Sequence, residues 1–129
     1  MTVRFGTLRL AVARSFQMGK LMFQAIEFGR DSSWAVGKHY RLCFTADGNL
    51  QLWNVANKGV VWETNTKGEK LAMQADGNFV IYASEGRVLW ASDTSGHRDA
   101  CFAAQDDGNL VIYTADLSKT IWSTKTAGK

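Results

Sequence analysis

Apolar and polar residues alternate over short stretches along most of this chain. Segments such as residues 70–74 and 78–82 are short and alternating, and they are rich in β-branched or aromatic residues. A period of two is typical of half-buried β-strands, and no convincing helical period accompanies it. The pattern therefore predicts an all-β protein made of short antiparallel strands.

These predicted strands belong to an internal repeat. The sequence Asp-Gly-Asn occurs three times, at intervals of 29 and 31 residues, and a Trp-x-Ser/Thr-x-Thr-x-Gly motif follows each copy. Its tryptophans are Trp62, Trp90 and Trp122. Gly19 and Trp34 have similar spacing and indicate a fainter earlier copy that has lost Asp and Asn. The chain is therefore interpreted as a repeat protein with a unit of about 30 residues.

The loop at Asp-Gly-Asn determines the register of each predicted hairpin. If the loop of the second repeat is residues 75–77, Met73 faces Phe79 and the apolar side chains of both strands share one face. A two-residue loop would mix the faces, whereas glycine at the third loop position suits the left-handed backbone that three-residue loops need. The predicted core faces are Leu42, Phe44, Leu50 and Leu52, then Leu71, Met73, Phe79 and Ile81, then Phe102, Ala104, Leu110 and Ile112.

Three sheets that are each apolar on one side are expected to close around a shared centre. The strands that carry Trp62, Trp90 and Trp122 supply bulky side chains for that centre. We interpret these tryptophans as packing groups rather than as a platform for stacking nucleic-acid bases.

The opposite face of the hairpins carries the candidate chemistry. In the second and third repeats it reads Gln-x-Asp-x-Asn-x-Val-x-Tyr, and the turn places Gln beside Asn. Asp-Gly-Asn is a turn signal by itself, but a turn requires neither the Gln nor the Tyr. Two amides, a carboxylate and a phenol beside a small apolar side chain suit the hydroxyls and ring carbons of a sugar. The candidate sugar-binding residues are Gln74, Asp76, Asn78, Val80, Tyr82, Gln105, Asp107, Asn109, Val111 and Tyr113.

The first repeat departs from this pattern. Thr45, Gln51 and Trp53 stand where the other repeats have Gln, Val and Tyr, so only Asp47 and Asn49 are kept. We expect a degenerate site there.

These two motifs together resemble the bulb-type, mannose-binding lectins of monocots, of which snowdrop lectin is typical. The resemblance covers about residues 21–129, which are interpreted as a lectin domain, and leaves residues 1–20 as a basic N-terminal extension or a degenerate extra hairpin. It implies a β-prism II fold of three four-stranded antiparallel sheets about a pseudo-threefold axis. It also implies calcium-independent binding of mannose or mannosylated glycans, with no cofactor and no metal.

The resemblance further implies a role for each residue of the motif. The Asp and Asn would bind O2 of mannose, Gln would bind O3, Tyr would bind O4, and Val would contact the ring carbons. In the second repeat these residues are Asp76, Asn78, Gln74, Tyr82 and Val80, and in the third they are Asp107, Asn109, Gln105, Tyr113 and Val111.

The family commonly exchanges its C-terminal strand between two copies, so a homodimer is expected. Members often carry a disulfide within one unit, but Cys43 and Cys101 lie in different hairpins. With neither CxxC spacing nor nearby histidines, they are predicted to be free thiols that bind no zinc.

Composition narrows the remaining possibilities. The chain has 129 residues, 46% of them apolar, no proline and a net charge of +3. No apolar run approaches the eighteen or so residues of a membrane span. Four basic residues, Arg4, Arg9, Arg14 and Lys20, precede the first acid, so a nucleic-acid arm, a membrane-surface tail and a transit peptide are minor alternatives. Gly6 and these arginines interrupt any apolar signal region, which leaves cytoplasmic location or secretion by a non-standard route open.

Two other functional classes compete with sugar binding. An enzyme is not expected, because His39 and His97 belong to no metal or nucleophile motif, and Asp76 and Asp107 lie on different predicted sheets rather than across one cleft. The second alternative is a protein of the same fold, such as a bacteriocin-like toxin or a protein-interaction module, in which sugar binding is reduced or repurposed.

Overall fold

The computed structural model describes residues 21–129, so the predicted N-terminal extension and Gly19 lie outside the described part. This part contains twelve β-strands and no helix that is long and apolar enough to cross a membrane. The strands are β1 Leu21–Phe23, β2 Ile26–Gly29, β3 Ser32–Val36, β4 Tyr40–Phe44, β5 Leu50–Asn54, β6 Gly59–Glu63, β7 Lys70–Met73, β8 Phe79–Tyr82, β9 Val88–Ala91, β10 Cys101–Ala104, β11 Leu110–Tyr113 and β12 Thr120–Ser123.

The strands form three four-stranded antiparallel sheets, which confirms the predicted all-β class. The first sheet has the order β3-β4-β5-β6, the second β2-β7-β8-β9 and the third β1-β10-β11-β12. Each Asp-Gly-Asn repeat supplies three neighbouring strands of one sheet. The fourth strand of every sheet comes from residues 21–36, which contribute one strand to each.

The fainter repeat copy predicted around Trp34 is therefore wrong as a separate unit. Trp34 lies in β3, which pairs with β4 at the edge of the first sheet. Its ring contacts Phe23 and Phe28, with centroid distances of 5.0 and 4.8 Å. These aromatic residues come from the edge strands of all three sheets, so they connect the sheets at one end of the core.

The hairpin register agrees with the three-residue loop. Met73 pairs with Phe79, and the backbone N–H of Gln74 donates to the carbonyl of Asn78 at 2.9 Å. Gly77 has a φ of +95°, and a Cβ at this position would lie 2.3 Å from the carbonyl oxygen of His97. Glycine is needed here both for the left-handed backbone and for the close approach of the neighbouring loop.

All the side chains predicted to face the core are buried, with exposures of 0 or 1%. Phe79 and Phe102, from the second and third sheets, stack with their ring centroids 4.4 Å apart. Trp62, Trp90 and Trp122 meet one another edge to face, at centroid distances of 5.7, 5.8 and 6.1 Å. The structure thus confirms the packing role of the three tryptophans, one from each sheet.

Candidate functional site

The outer face of the second sheet brings together the candidate residues of the second repeat. The side-chain amide of Gln74 donates to the hydroxyl of Tyr82, although these residues are eight positions apart. Asp76 Oδ1 accepts a hydrogen bond from the backbone N–H of Asn78 at 2.9 Å. Gln74, Asp76 and Tyr82 line an open groove, whereas Asn78 and Val80 are not among its lining residues. Val80 is only 1% exposed.

Asn78 is held by the second motif of its repeat. Its Oδ1 atom accepts bonds from the backbone N–H of Thr94 at 3.1 Å and from the hydroxyl of Ser92 at 3.3 Å. Thr94 in turn donates through its hydroxyl to the carbonyl of Gly77 at 2.5 Å. The Trp-x-Ser/Thr-x-Thr motif therefore fixes the loop and orients the amide. Within residues 21–129 no acceptor bonds to Asn78 Nδ2, so this group can donate to a ligand.

The third sheet repeats this arrangement. Gln105 donates to the hydroxyl of Tyr113, and Asp107 Oδ1 accepts from the backbone N–H of Asn109 at 2.9 Å. Asn109 Oδ1 accepts from the backbone N–H of Thr126 at 3.1 Å and from the hydroxyl of Thr124 at 3.2 Å. Val111, 2% exposed, occupies the position of Val80. The two sets of five residues are thus alike in connectivity, on two separate sheets.

The degenerate set in the first sheet is bonded differently. The backbone N–H of Asn49 donates to the hydroxyl of Thr45 at 3.1 Å, so Asp47 does not take the part of Asp76. Both Asn49 Nδ2 and Gln51 Nε2 donate to Glu63 Oε1, at 2.9 and 3.0 Å. The Glu63 carboxylate therefore accepts from the asparagine amide whose equivalent in the second repeat, Asn78 Nδ2, is open.

Glu63 is the site residue that the sequence analysis missed. It pairs with Gln51, whereas Ala91 and Ser123 occupy the same place opposite Val80 and Val111. Hydrogen bonds from Gln51 and then from Asn49 hold the pKa of Glu63 below its ordinary value. The available signal was the residue that directly follows the repeated tryptophan. It is long and charged only in the first repeat, which has also lost the Gln, Val and Tyr of the site motif.

Neither cysteine forms a disulfide, as predicted. Cys43 pairs with Gln51 and Cys101 with Tyr113, on different sheets. Burial raises the pKa of the Cys43 thiol, and the nearby charge of Arg41 opposes that shift. Residues 21–129 contain no cluster of three or more His, Cys, Asp or Glu side chains that could hold a metal ion.

Comparison with known proteins agrees with this architecture. No family model matches the chain. A mannose-specific lectin of Aloe arborescens is 33% identical over 93 residues, which cover 67% of this chain and 80% of that protein. Mannose-specific lectin 1 of Remusatia vivipara is 36% identical over 63 residues, which are 49% of this chain but only 24% of that protein.

Solved structures show the same fold. A Marasmius oreades lectin superposes with a TM-score of 0.73 and 28% identity, covering 83% of this chain and 92% of that one. A monomeric monocot mannose-binding lectin from Gastrodia elata gives 0.69 and 33%, with coverages of 82% and 97%. Snowdrop (Galanthus nivalis) agglutinin, solved with methyl-α-D-mannoside, gives 0.61 and 29%, with coverages of 81% and 95%.

The three sheets and their repeats define a β-prism II protein of the carbohydrate-binding, non-enzymatic class. The chain belongs to the bulb-type mannose-binding lectin family.

Proposed function

We propose that this chain binds mannose, or glycans that present mannose, through two metal-independent sites on its second and third sheets. The observation that supports this most directly is the repeated asparagine. Asn78 and Asn109 each have the side-chain oxygen held by the fold. The asparagine NH₂ can therefore donate to a ligand hydroxyl from an orientation that the fold has already set. A carboxylate and a Gln-Tyr pair lie beside it. Relatives of this chain are named mannose-specific lectins, and snowdrop agglutinin was solved with a mannoside.

Within each proposed site the residues take the parts implied by the family. Asp76 and Asn78 bind O2, Gln74 binds O3 and Tyr82 binds O4. Val80, the residue that the family resemblance assigns to the ring carbons, is only 1% exposed, so it offers almost no surface to the sugar and we assign it no contact. Each net hydrogen bond contributes about 1 kcal/mol, so a shallow site with roughly four or five binds one sugar with a Kd of about 1 mM.

The first sheet does not provide a third sugar-binding site. Glu63 already accepts from Asn49 and Gln51, and it adds a negative charge where a sugar hydroxyl would have to enter. A neutral sugar could use the Asn49 amide only by displacing these charge-assisted hydrogen bonds, which are stronger than the neutral ones it would form in their place.

A titration with methyl α-mannoside, followed by NMR, tests the proposal. We expect saturation near two sugars per chain. Asn78→Asp and Asn109→Asp should each leave one, because aspartate keeps the oxygen that accepts from the loop and loses the Nδ2 donor. Asn49→Asp is the matched control and should leave two. EDTA should change nothing, and loss of binding on chelation would contradict the direct-contact mechanism.

The alternative is a protein-interaction or toxin module on the same fold. A flat response to methyl α-mannoside and to a glycan array would favour that alternative. Binding by both predicted sites would reject it as a description of these two pockets.

We further propose that two copies form a homodimer by exchange of β12. In this structure β12 pairs with β11 of its own sheet, and the turn between them is closed by the Leu117 N–H bond to the carbonyl of Thr114. Opening that turn would let β12 make the same pairing with a second copy. Four sites on a dimer would raise avidity for clustered mannose by roughly a hundredfold if their spacing permits simultaneous contact. Light scattering at micromolar concentration should give the dimer mass, and a monomer mass would reject the exchange.

A further inference from the structure

The outer face of the first sheet carries a partly buried carboxylate with no cation beside it. Glu63 Oε1 accepts from Asn49 Nδ2 at 2.9 Å and from Gln51 Nε2 at 3.0 Å, and no described residue donates to Glu63 Oε2. Within residues 21–129 no Lys or Arg lies within ion-pair distance of Glu63, whereas three other glutamates each have one. An ionised side chain shielded from water is ordinarily paired with an opposite charge. One oxygen of Glu63 is therefore available to a cation from another molecule.

An aromatic ring stands beside this carboxylate. Trp53 Nε1 donates to Gln51 Oε1 at 3.0 Å, and the nitrogen of the same amide donates to Glu63. Because a single amide joins them, the indole nitrogen and the carboxylate oxygen lie within about 8 Å of each other. Trp53 is partly exposed and pairs with Val60, which is 39% exposed. The face therefore offers an apolar surface next to a negative charge.

We propose that this face binds a lysine side chain of another protein, with the ammonium on Glu63 Oε2 and the aliphatic stem against Trp53 and Val60. A cation is attracted to the ring of tryptophan, and the stem of a lysine commonly lies along apolar surface while its charge stays polar. The proposal does not rest on mannose binding, because it concerns the sheet to which no mannose site is assigned.

The hydrogen bonds of Glu63 favour an ammonium over a guanidinium. A guanidinium typically binds both oxygens of a carboxylate through two parallel N–H bonds. Oε1 of Glu63 already accepts two bonds from its own chain, so only Oε2 remains. The ammonium of lysine is a compact charge that can use a single acceptor. The face therefore predicts a preference for lysine over arginine.

Arg41, a basic residue of the same face, does not occupy this place. It pairs with Trp53 from β4, and its Nη2 atom donates to Ser33 Oγ at 3.3 Å. Ser33 lies on β3, whereas Glu63 lies on β6 at the opposite edge of the sheet. This cation is thus directed away from the carboxylate.

The other two sheets lack the same combination. Tyrosine replaces the tryptophan there, and Ala91 and Ser123 stand in the place of Glu63. Neither alanine nor serine can form an ion pair with an ammonium. The proposed lysine site is therefore confined to the first sheet.

An NMR titration with Nα-acetyl-lysine N-methylamide tests the proposal, because this probe has the lysine side chain without the terminal charges of a free amino acid. The indole N–H of Trp53 and the side-chain amides of Asn49 and Gln51 should shift together and saturate, with a Kd of about 1–10 mM. The norleucine analogue keeps the stem but lacks the ammonium, so it should bind about tenfold more weakly. The arginine analogue should bind about threefold more weakly than the lysine probe.

Two variants and a matched control locate the site. Glu63→Gln keeps an oxygen that can accept from the two amides and removes the charge, so it should weaken binding of the lysine probe about tenfold. Trp53→Leu should weaken it about two- to fivefold. Glu85→Gln removes the same charge from an exposed glutamate that pairs with Arg87, and it should leave the Kd unchanged.

Four results would overturn the proposal. The first, equal binding of the lysine and norleucine probes, requires no variant. The others are unchanged binding in Glu63→Gln, an equal loss in Glu85→Gln, and arginine binding as tight as lysine binding. Methyl α-mannoside should shift other resonances and leave the lysine probe bound, so displacement of the probe by the mannoside would also reject a separate lysine site. Failure to bind the mannoside, with the lysine probe still bound, would overturn the proposed function alone.

Discussion

The outer faces of the first and second sheets are built on the same type of hairpin, but only the second leaves its asparagine amide open to a ligand. In both, the side-chain oxygen of the loop asparagine accepts from the backbone N–H of the last threonine in the Trp motif, at 3.2 Å for Asn49 and 3.1 Å for Asn78. They differ in the amide NH₂, which Glu63 occupies in the first sheet and which no described acceptor occupies in the second. This asparagine therefore has two separable roles: its Oδ1 atom stabilises the turn, and its NH₂ group can donate to a ligand.

The largest expected effect is the conversion of the first face into a copy of the second. Thr45→Gln, Gln51→Val, Trp53→Tyr and Glu63→Ala together should create a third site. At a Kd of about 1 mM this corresponds to roughly 4 kcal/mol of new binding free energy. The NMR titration should then saturate near three sugars per chain.

Glu63→Ala by itself is the control for that conversion. It removes the carboxylate but supplies neither the Gln-Tyr pair nor the valine, so the stoichiometry should stay at two. If the single change produced a third site, Glu63 would be the whole difference between the sheets. If the fourfold variant folds and still binds two, the backbone of the first hairpin must differ in a way that side chains do not correct.

A smaller effect is expected when the shared structural role is removed. Asn49→Ala, Asn78→Ala and Asn109→Ala each leave a backbone N–H and a hydroxyl of the Trp motif without their acceptor, which should cost about 1–3 kcal/mol of unfolding free energy. Urea denaturation should give similar losses for Asn78→Ala and Asn109→Ala, and a loss at least as large for Asn49→Ala, whose amide also donates to Glu63. Sugar binding should fall only for the second and third, so a much smaller stability loss for Asn49→Ala would show that the roles are not shared.

The smallest effect concerns the charge of Glu63. Its pKa in the folded protein lies below the ordinary glutamate value of 4.5, because Gln51 and Asn49 donate hydrogen bonds to the ionised form. Ionised Glu63 therefore stabilises the fold above that value, and this contribution is lost as the pH falls through the lower, folded pKa. The difference in Tm between the wild type and Glu63→Gln should be largest near neutral pH and shrink below about pH 4.5. A difference that is constant between pH 7 and pH 3 would contradict this.

Most of the fold could be predicted because residues close together in each repeat determine its structure. The three-residue loop and its glycine set the register within each hairpin, and that register alone assigns side chains such as Leu71 and Phe79 to the core. For strands that are close in sequence, the side chains that face the core can therefore be predicted without knowledge of the rest of the molecule.

The edge strands β1, β2 and β3 could not be predicted in the same way. They have only three to five residues each and carry no repeated marker, and β1 and β2 pair with partners far along the chain, as Leu21 does with Ala104. Each of them forms the edge of a different sheet, so their positions depend on the arrangement of all three sheets. Trp34 was misread for this reason, because its spacing matches the repeat although its strand does not.

The site was predicted as a set of residues, but its internal bonding was not. The motif identifies Gln74 and Tyr82, whereas the use of Ser92 and Thr94 to hold Asn78 depends on the return of β9 to the loop. Glu63 was missed because a charged residue on an exposed strand ordinarily faces solvent, and only the register opposite Gln51 places it on Asn49. Contacts across strands decide which polar groups remain open to a ligand.

The meeting of Trp62, Trp90 and Trp122 makes this assembly a closed ring rather than a linear array. In a solenoid each repeat contacts only its neighbours, so the terminal units need caps and further units can be added. Here each tryptophan contacts both of the others, so every repeat is internal. Loss of one repeat would expose two interfaces at once, and a fourth would find none vacant. The geometry thus sets the number of repeats at three. A single site can therefore be lost, with the ring intact, only through changes to individual side chains, as in the first sheet.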